Sequence, residues 1–179
     1  MKKYLSGLGR SIVVGTLLAG SAGVGSAIAS PNSLTREIVA NIAQRARFPI
    51  LIPDIAKGGD ETLYPYTEAS SENSYQITFG TQPSCSANAC FRFSIKGTVG
   101  GKFNRTSPDS KAKIRDITLA GGTKAVFTQQ CGTACWNIVQ WKSGNNLYEV
   151  WYKGNRSSTA AVDLANSAIK TGDRNRKGK

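Results

Sequence analysis

The sequence predicts an α+β fold: a six- or seven-stranded, mostly antiparallel meander sheet flanked by an N-terminal and a C-terminal helix. Two observations support this class. The middle of the chain holds short runs in which β-branched or aromatic residues alternate with polar ones, separated by turn residues. Stretches with apolar residues at helical spacing stand before and after this block. Segregation of helices from strands along the chain is typical of α+β domains.

Residues 1–29 are predicted to be a secretory signal peptide. Lys2, Lys3 and Arg10 are basic, residues 11–24 are small and apolar, and Ala27 to Ala29 form an A-x-A cleavage site. We therefore expect cleavage after Ala29 and export to the periplasm or the extracellular space. An uncleaved anchor is the alternative, but the apolar run is short and rich in Gly and Ser for a membrane span.

The rest of the chain is long enough for one domain with a hydrophobic core, assigned to residues 30–172. Removing the three cations of the signal peptide leaves 20 Lys+Arg against 11 Asp+Glu, a net charge of +9. This excess favours anionic partners such as an acidic envelope polymer or lipid head groups, although much of it is ordinary solvated surface. Residues 173–179 are predicted to be a basic, disordered tail.

The first helix is predicted over residues 34–46. Ser33 is a suitable N-cap, and the apolar residues that follow recur every four positions. The next segment, Phe48 to Pro53, contains two prolines, which exclude a helix interior or a central strand. We expect it to lie extended across the core or along a sheet edge.

Five strands are predicted before the last hairpin, over residues 62–67, 74–81, 90–96, 114–119 and 124–129. In the third of them, alternation predicts that Phe91 and Phe93 point inward and Arg92 outward. Gly121 and Gly122 mark a hairpin turn between the fourth and fifth strands.

The most informative stretch is the hairpin that follows Cys135. A turn at Ser143 to Asn146 separates two runs rich in aromatic and β-branched residues. Pairing residue 142 with 147 places Trp141 opposite Tyr148 and Val139 opposite Val150, so one face is apolar and should face the core. A last helix is predicted from a cap at residue 157 or 158 to Thr171, with Gly172 just past its end.

The four cysteines form two similar local units. Cys85 and Cys90, and Cys131 and Cys135, each enclose a tight loop just before an aromatic residue. An even cysteine count in an exported chain predicts disulfides, and we favour these local pairs. Disulfides that join one unit to the other would constrain the unfolded chain more, and this alternative stays open. A four-thiolate zinc site is disfavoured because the cysteines within each unit are spaced too widely.

No catalytic site is predicted, and neither a metal nor a cofactor is expected. The chain contains no histidine, which removes Ser-His-Asp and Cys-His catalysis and histidine metal centres. No Walker loop or dinucleotide-binding fingerprint is present. A hydrolase acting on an anionic polymer is the alternative, and it would need two carboxylates facing each other across a cleft.

The second face of the hairpin is the best candidate binding surface. It carries aromatic, aliphatic and basic residues: Trp136, Ile138, Lys142, Trp151 and Lys153. Aromatic rings beside lysines suit sugars, lipid head groups or a protein partner; nucleic acid is not the expected ligand. The alternative is that these side chains form a second small core beneath another segment.

The C-terminal part, with CGTAC, the strand ending at Trp141, LYEVWYK and the closing LANSAI helix, resembles small exported proteins of cyanobacteria and related bacteria. It is also similar to DUF4367-type extracytoplasmic domains, although paired cysteines are not a feature of those domains. The resemblance implies no catalytic residue. We therefore expect an exported binding or accessory domain of the bacterial envelope. The alternative is a structural subunit that uses its Trp-rich sheet face.

Overall fold

The protein has an α+β fold with an antiparallel sheet and two helices, as the sequence predicts. The computed structural model describes residues 31–55, 62–83, 85, 88–107, 109, 111–155 and 159–175. The signal peptide predicted at 1–29 lies outside the described residues. Among the residues described, no helix is long and apolar enough to cross a bilayer.

The elements follow the predicted order with shifted ends. Helix α1 spans Pro31–Ala43, earlier than expected, with proline at its first position, where the missing N–H costs nothing. Helix α2 spans Ala160–Thr171 and ends at Gly172, which has φ 69° and donates its N–H to Ala168 O. The strands are β1 (Tyr64–Ser70), β2 (Ser74–Gly80), β3 (Phe91–Val99), β4 (Lys113–Thr118), β5 (Lys124–Cys131), β6 (Cys135–Ser143) and β7 (Asn146–Gly154).

The sheet is not one continuous meander, which corrects the sequence prediction. Its spatial order is β1-β2-β3-β7-β6-β5-β4, with every neighbouring pair antiparallel. The chain therefore builds one three-stranded meander, crosses to the far edge and returns through a four-stranded one. β7 closes the sheet by pairing with β3.

The predicted register of the β6–β7 hairpin is confirmed. Trp141 pairs with Tyr148, Val139 with Val150 and residue 142 with 147, around a tight turn in which Gly144 has φ 60°. Trp141, Tyr148, Val139 and Val150 are all fully buried. This inner face of the sheet carries the main core.

Both helices and the proline-containing segment, residues 47–55, pack on the inner face of the sheet. Two tyrosine hydroxyls hold that segment in place. The Tyr75 hydroxyl accepts from Leu51 N at 2.9 Å and donates to Leu51 O at 3.0 Å, and the Tyr148 hydroxyl donates to Pro49 O at 2.9 Å. The extended segment thus satisfies its backbone through side chains rather than as a strand of the sheet.

A β-bulge at the start of β3 corrects the predicted alternation. Gly80 pairs with Phe91 and Phe79 pairs with Phe93, so Arg92 is an extra residue. As a result, Phe91 lies against Trp136 on the outer face, with ring centroids 5.3 Å apart. Arg92 instead lines the inner side of the sheet together with Phe93.

The chain beyond Gly172 begins as part of the domain rather than as a free tail. Asp173 forms a β-bridge with Leu51, and its Oδ1 accepts from Ile50 N at 3.0 Å. Arg174 N donates to Ile50 O at 2.9 Å. The predicted tail boundary at residue 172 is therefore too early, and residues 176–179 lie outside the described residues.

Candidate functional site

Both cysteine pairs form local disulfides, Cys85–Cys90 and Cys131–Cys135. They lie at one end of the sheet, which we call the disulfide end. Cys131 and Cys135 are the last pair of β5 and β6, Cys135 also pairs with Gly154, and Cys90 directly precedes β3. Two disulfides indicate an oxidising environment, and they leave no free thiolate among the described cysteines for the zinc site considered above.

The connection from β3 to β4, residues 100–112, crosses the outer face of the sheet; we call it the crossing loop. Asn104 N donates to Gln140 Oε1 and the Ser107 hydroxyl donates to Gln130 Oε1, each at 3.0 Å. The Arg105 guanidinium donates hydrogen bonds to Asp116 and thereby lowers the pKa of that carboxyl group. The polar sequence of this loop therefore serves to fix it across three strands.

Three apolar side chains on the outer face are buried although they lie outside the main core. Val126 is 1% exposed, and Ile138 and Leu147 are each 5% exposed. The crossing loop passes close by, since a Cβ placed on Gly101 would lie 2.7 Å from Leu147 Cβ. Ile138 therefore belongs to a second small core, which is the alternative weighed for it above.

The outer face at the disulfide end carries three rings in contact: Phe91, Trp136 and Trp151, here called the aromatic cluster. The Trp136 and Trp151 centroids lie 6.5 Å apart with the rings at 66°, an edge-to-face arrangement. Phe91 is tilted 57° to Trp136. All three side chains are only partly buried, unlike Trp141. The cluster therefore presents aromatic surface to solvent at a site that backbone pairing holds in place.

Glu149 fixes one of these rings. Its Oε2 accepts from the Trp151 indole N–H at 3.4 Å and from the Gln140 amide at 2.9 Å, and its Oε1 lies 3.9 Å from Lys96 Nζ. The Glu149 side chain is only 12% exposed. It is therefore a positioning group for the aromatic cluster.

Four of the five predicted surface residues come together and one does not. Trp136 pairs with Lys153 and Ile138 with Trp151 across the hairpin. Lys153 Nζ donates to Asn88 O at 2.6 Å, which places its ammonium beside the Cys85–Cys90 loop. Lys142 lies at the other end of β6, about 20 Å from Trp136 at the rise of a strand, with its Nζ 5.9 Å from the centroid of Phe103.

Sequence reasoning missed Phe91 and Glu149 as members of this site. The bulge that turns Phe91 outward has one signal in the sequence, the glycine at position 80. A Cβ on Gly80 would lie 2.7 Å from Cys85 Cβ and 2.9 Å from Cys90 O. Only glycine at position 80 therefore leaves room for Cys85 and Cys90 to pack against the end of β2, where the bulge in β3 begins.

The part of the chain that the structure describes holds no group of three or more His, Cys, Asp or Glu side chains suited to a metal ion. No protein-family model, no curated protein and no solved structure matches the chain.

Proposed function

We propose that the protein is an exported binding domain of the bacterial envelope that makes contact through the aromatic cluster and carries out no catalysis. The observation that carries the proposal is the pair Trp136 and Trp151, which are partly exposed on the outer face next to the part that the crossing loop covers. Large aromatic side chains dominate the binding energy of contact surfaces because they bury much area at little entropic cost.

An acidic polymer of the envelope is the ligand class that this surface fits best. Lys153 stands beside the rings, and the chain as a whole carries 23 Lys+Arg against 11 Asp+Glu. Two exposed cations of the crossing loop, Lys102 and Lys111, have no carboxylate partner among the described residues. The positive electrostatic potential of these cations attracts polyanions, and the aromatic rings add apolar contacts that salt does not screen.

The experiment is a binding titration of the exported protein by isothermal titration calorimetry, a readout that does not depend on the tryptophans to be replaced, with polygalacturonate as the acidic probe and dextran as the neutral one. The double variant Trp136→Ala/Trp151→Ala should lose about tenfold or more in affinity, since aromatic anchors contribute about 2 kcal/mol or more. Val99→Ala removes the one large apolar side chain exposed among the described residues, at the far end of β3, and is the matched control.

Unchanged affinity in the double variant would refute the role of the aromatic cluster. Equal affinity for both polymers would refute an acidic polymer as the ligand class but would leave the aromatic cluster as the binding surface. A concentration-dependent dimer, or tight binding to a protein instead of either polymer, would favour the alternative of a structural subunit.

Export is tested separately by the intact mass of the secreted protein before and after reduction and alkylation. A chain that starts at Ser30 and carries two disulfides supports the proposal. A mass that retains residues 1–29 would instead support the uncleaved anchor. The resemblance to DUF4367-type domains stays a prediction.

A further inference from the structure

The inner side of the disulfide end contains a cavity of about 610 Å³ between α2, the sheet and the end of the proline-containing segment. Its volume lies in the range of small-molecule sites. Tyr152, which is partly exposed, is the aromatic residue of its floor, whereas Phe93 beside it is 1% exposed and belongs to the main core. Leu164 and Ile55 add apolar wall. Residues 56–61 lie outside the described residues.

Four charged side chains of both signs stand around this apolar floor: Asp54, Arg92, Asp163 and Lys170. Asp163 and Lys170 are on α2 and are exposed, while Asp54, on the proline-containing segment, and Arg92, on β3, are partly buried. The charges sum to zero, in contrast to the strongly basic chain as a whole. The cavity is therefore not an extension of the cationic surface and calls for a different kind of ligand.

The walls are held in place by hydrogen bonds. Asp54 N donates to the Ser167 hydroxyl at 2.8 Å, which ties the segment to the cavity face of α2. Asn166 Oδ1 accepts from Ala120 N at 2.7 Å and anchors the same helix on its other flank. Positions 160, 163, 164, 167 and 170 follow helical spacing, so one face of α2 forms one wall.

The bulge in β3 is what brings a cation into the cavity. Regular alternation would place Arg92 on the outer face beside Ser94, whereas the extra residue turns it to the inner side with Phe93. Bulges are frequent where a strand has to re-aim one side chain at a functional site. The same bulge directs Phe91 to the aromatic cluster, so a single irregularity serves both faces of the disulfide end.

From the apolar floor, the balanced charges and the re-aimed guanidinium, we propose that the cavity binds a small zwitterion with an apolar side chain, an amino acid or a short peptide. The carboxylates of Asp54 and Asp163 face its ammonium group, and the guanidinium of Arg92 and the ammonium of Lys170 face its carboxylate. Its apolar side chain packs against the partly exposed Ile55, Tyr152 and Leu164. This site is independent of the proposed aromatic surface.

The test is an NMR titration of the ¹⁵N-labelled full domain with the dipeptide alanyl-phenylalanine. Saturable shifts are expected for the amides of Asp163 to Thr171 and of Tyr152. N-acetylation or C-amidation of the dipeptide each removes one charge and should weaken binding about tenfold, as for a charged hydrogen bond. The same titration with free phenylalanine shows whether the cavity prefers a single amino acid or a peptide as its ligand.

Rim variants locate the site without disturbing the core. Asp163→Asn and Lys170→Gln should each lower the affinity for the dipeptide about twofold to fivefold, which is the range expected for the loss of an exposed ion pair. Lys142→Gln on the outer face is the matched control and should have no effect, as should Trp136→Ala/Trp151→Ala. The proposal is overturned by the absence of saturable shifts, by equal affinity for the blocked dipeptides, or by shifts confined to the outer face.

Discussion

Trp141 is the residue on which the inner core depends most. Its side chain is fully buried and stacks on Tyr148 with centroids 5.6 Å apart. Trp141→Ala leaves a large cavity and should lower the free energy of unfolding by about 3–5 kcal/mol in urea denaturation. Trp141→Phe keeps an aromatic ring that fills most of this space, and it loses no hydrogen bond because the indole N–H has no partner among the described residues, so it should cost less than half as much. An unchanged stability of the alanine variant would contradict the hairpin register.

Gly97 is required for a different reason, the close approach of two rings. A Cβ at this position would lie 2.5 Å from Tyr75 Cε1 and 2.9 Å from Phe48 Cε2. Both rings are buried and stacked on each other, so neither can move freely. Gly97→Ala should therefore destabilise the domain by about 1–3 kcal/mol. Gly132→Ala, where a Cβ meets nothing within 4 Å, is the control and should stay within about 0.5 kcal/mol of the parent protein.

The proline-containing segment illustrates how elements are joined, because its attachment depends on two phenols. Burial raises the pKa of Tyr75 well above its ordinary value of 10.0, with a further contribution from nearby Tyr148. Burial likewise raises the pKa of Tyr148. Both folded-state values lie above the unfolded one, so their contribution to stability is complete below about pH 10 and is lost as the pH rises toward the folded-state values.

Stability measured by urea denaturation from pH 8 to 11.5 should therefore fall above about pH 10. In Tyr75→Phe the fall should be shallower, and stability at pH 8 should already be lower by about 1–3 kcal/mol, because the buried Leu51 N–H and C=O lose their partner. A pH profile identical in the two proteins would contradict this role of Tyr75.

The end of α2 offers a second test of how elements are joined. Truncation after Gly172 removes Asp173 and Arg174, whose hydrogen bonds hold the backbone of Ile50. Losing two or three such hydrogen bonds should lower the free energy of unfolding by about 1–3 kcal/mol, which would be measured as a lower melting temperature. Truncation after Asn175 retains these bonds and is the control. Equal melting temperatures for the two truncated proteins would show that the chain beyond Gly172 contributes nothing.

For the whole molecule, local pattern predicted some features and not others. Side-chain alternation in two adjacent runs determines their register, so the pairing of Trp141 with Tyr148 was accessible. The pairing of β3 with β7 was not, because periodicity identifies strands but not which edges meet. The bulge at Arg92 was missed because one extra residue shifts alternation without changing composition. Trp136, Trp151 and Lys153 were found from the hairpin alone, whereas Phe91 required the bulge.

The topology also determines which part of the outer face the crossing loop covers. The chain has to cross the sheet once to join its two meanders, and the crossing loop covers the part of the outer face that it passes. The aromatic cluster borders this path, because Gln130, which holds the crossing loop, pairs with Trp136, and it lies on strands whose ends carry both disulfides. The exposed rings are thus a consequence of the topology together with the position of the cysteines.

The most direct test of this account is the solvent accessibility of the three tryptophan indole groups, resolved by NMR in the presence of a soluble paramagnetic agent. The chain has 3 tryptophans, so assignment requires only single substitutions. Strong broadening is expected for Trp136 and Trp151 and none for Trp141, and Trp136 and Trp151 should become protected when polygalacturonate binds. Protection of all three without any ligand would contradict the proposal that the aromatic cluster is a contact surface.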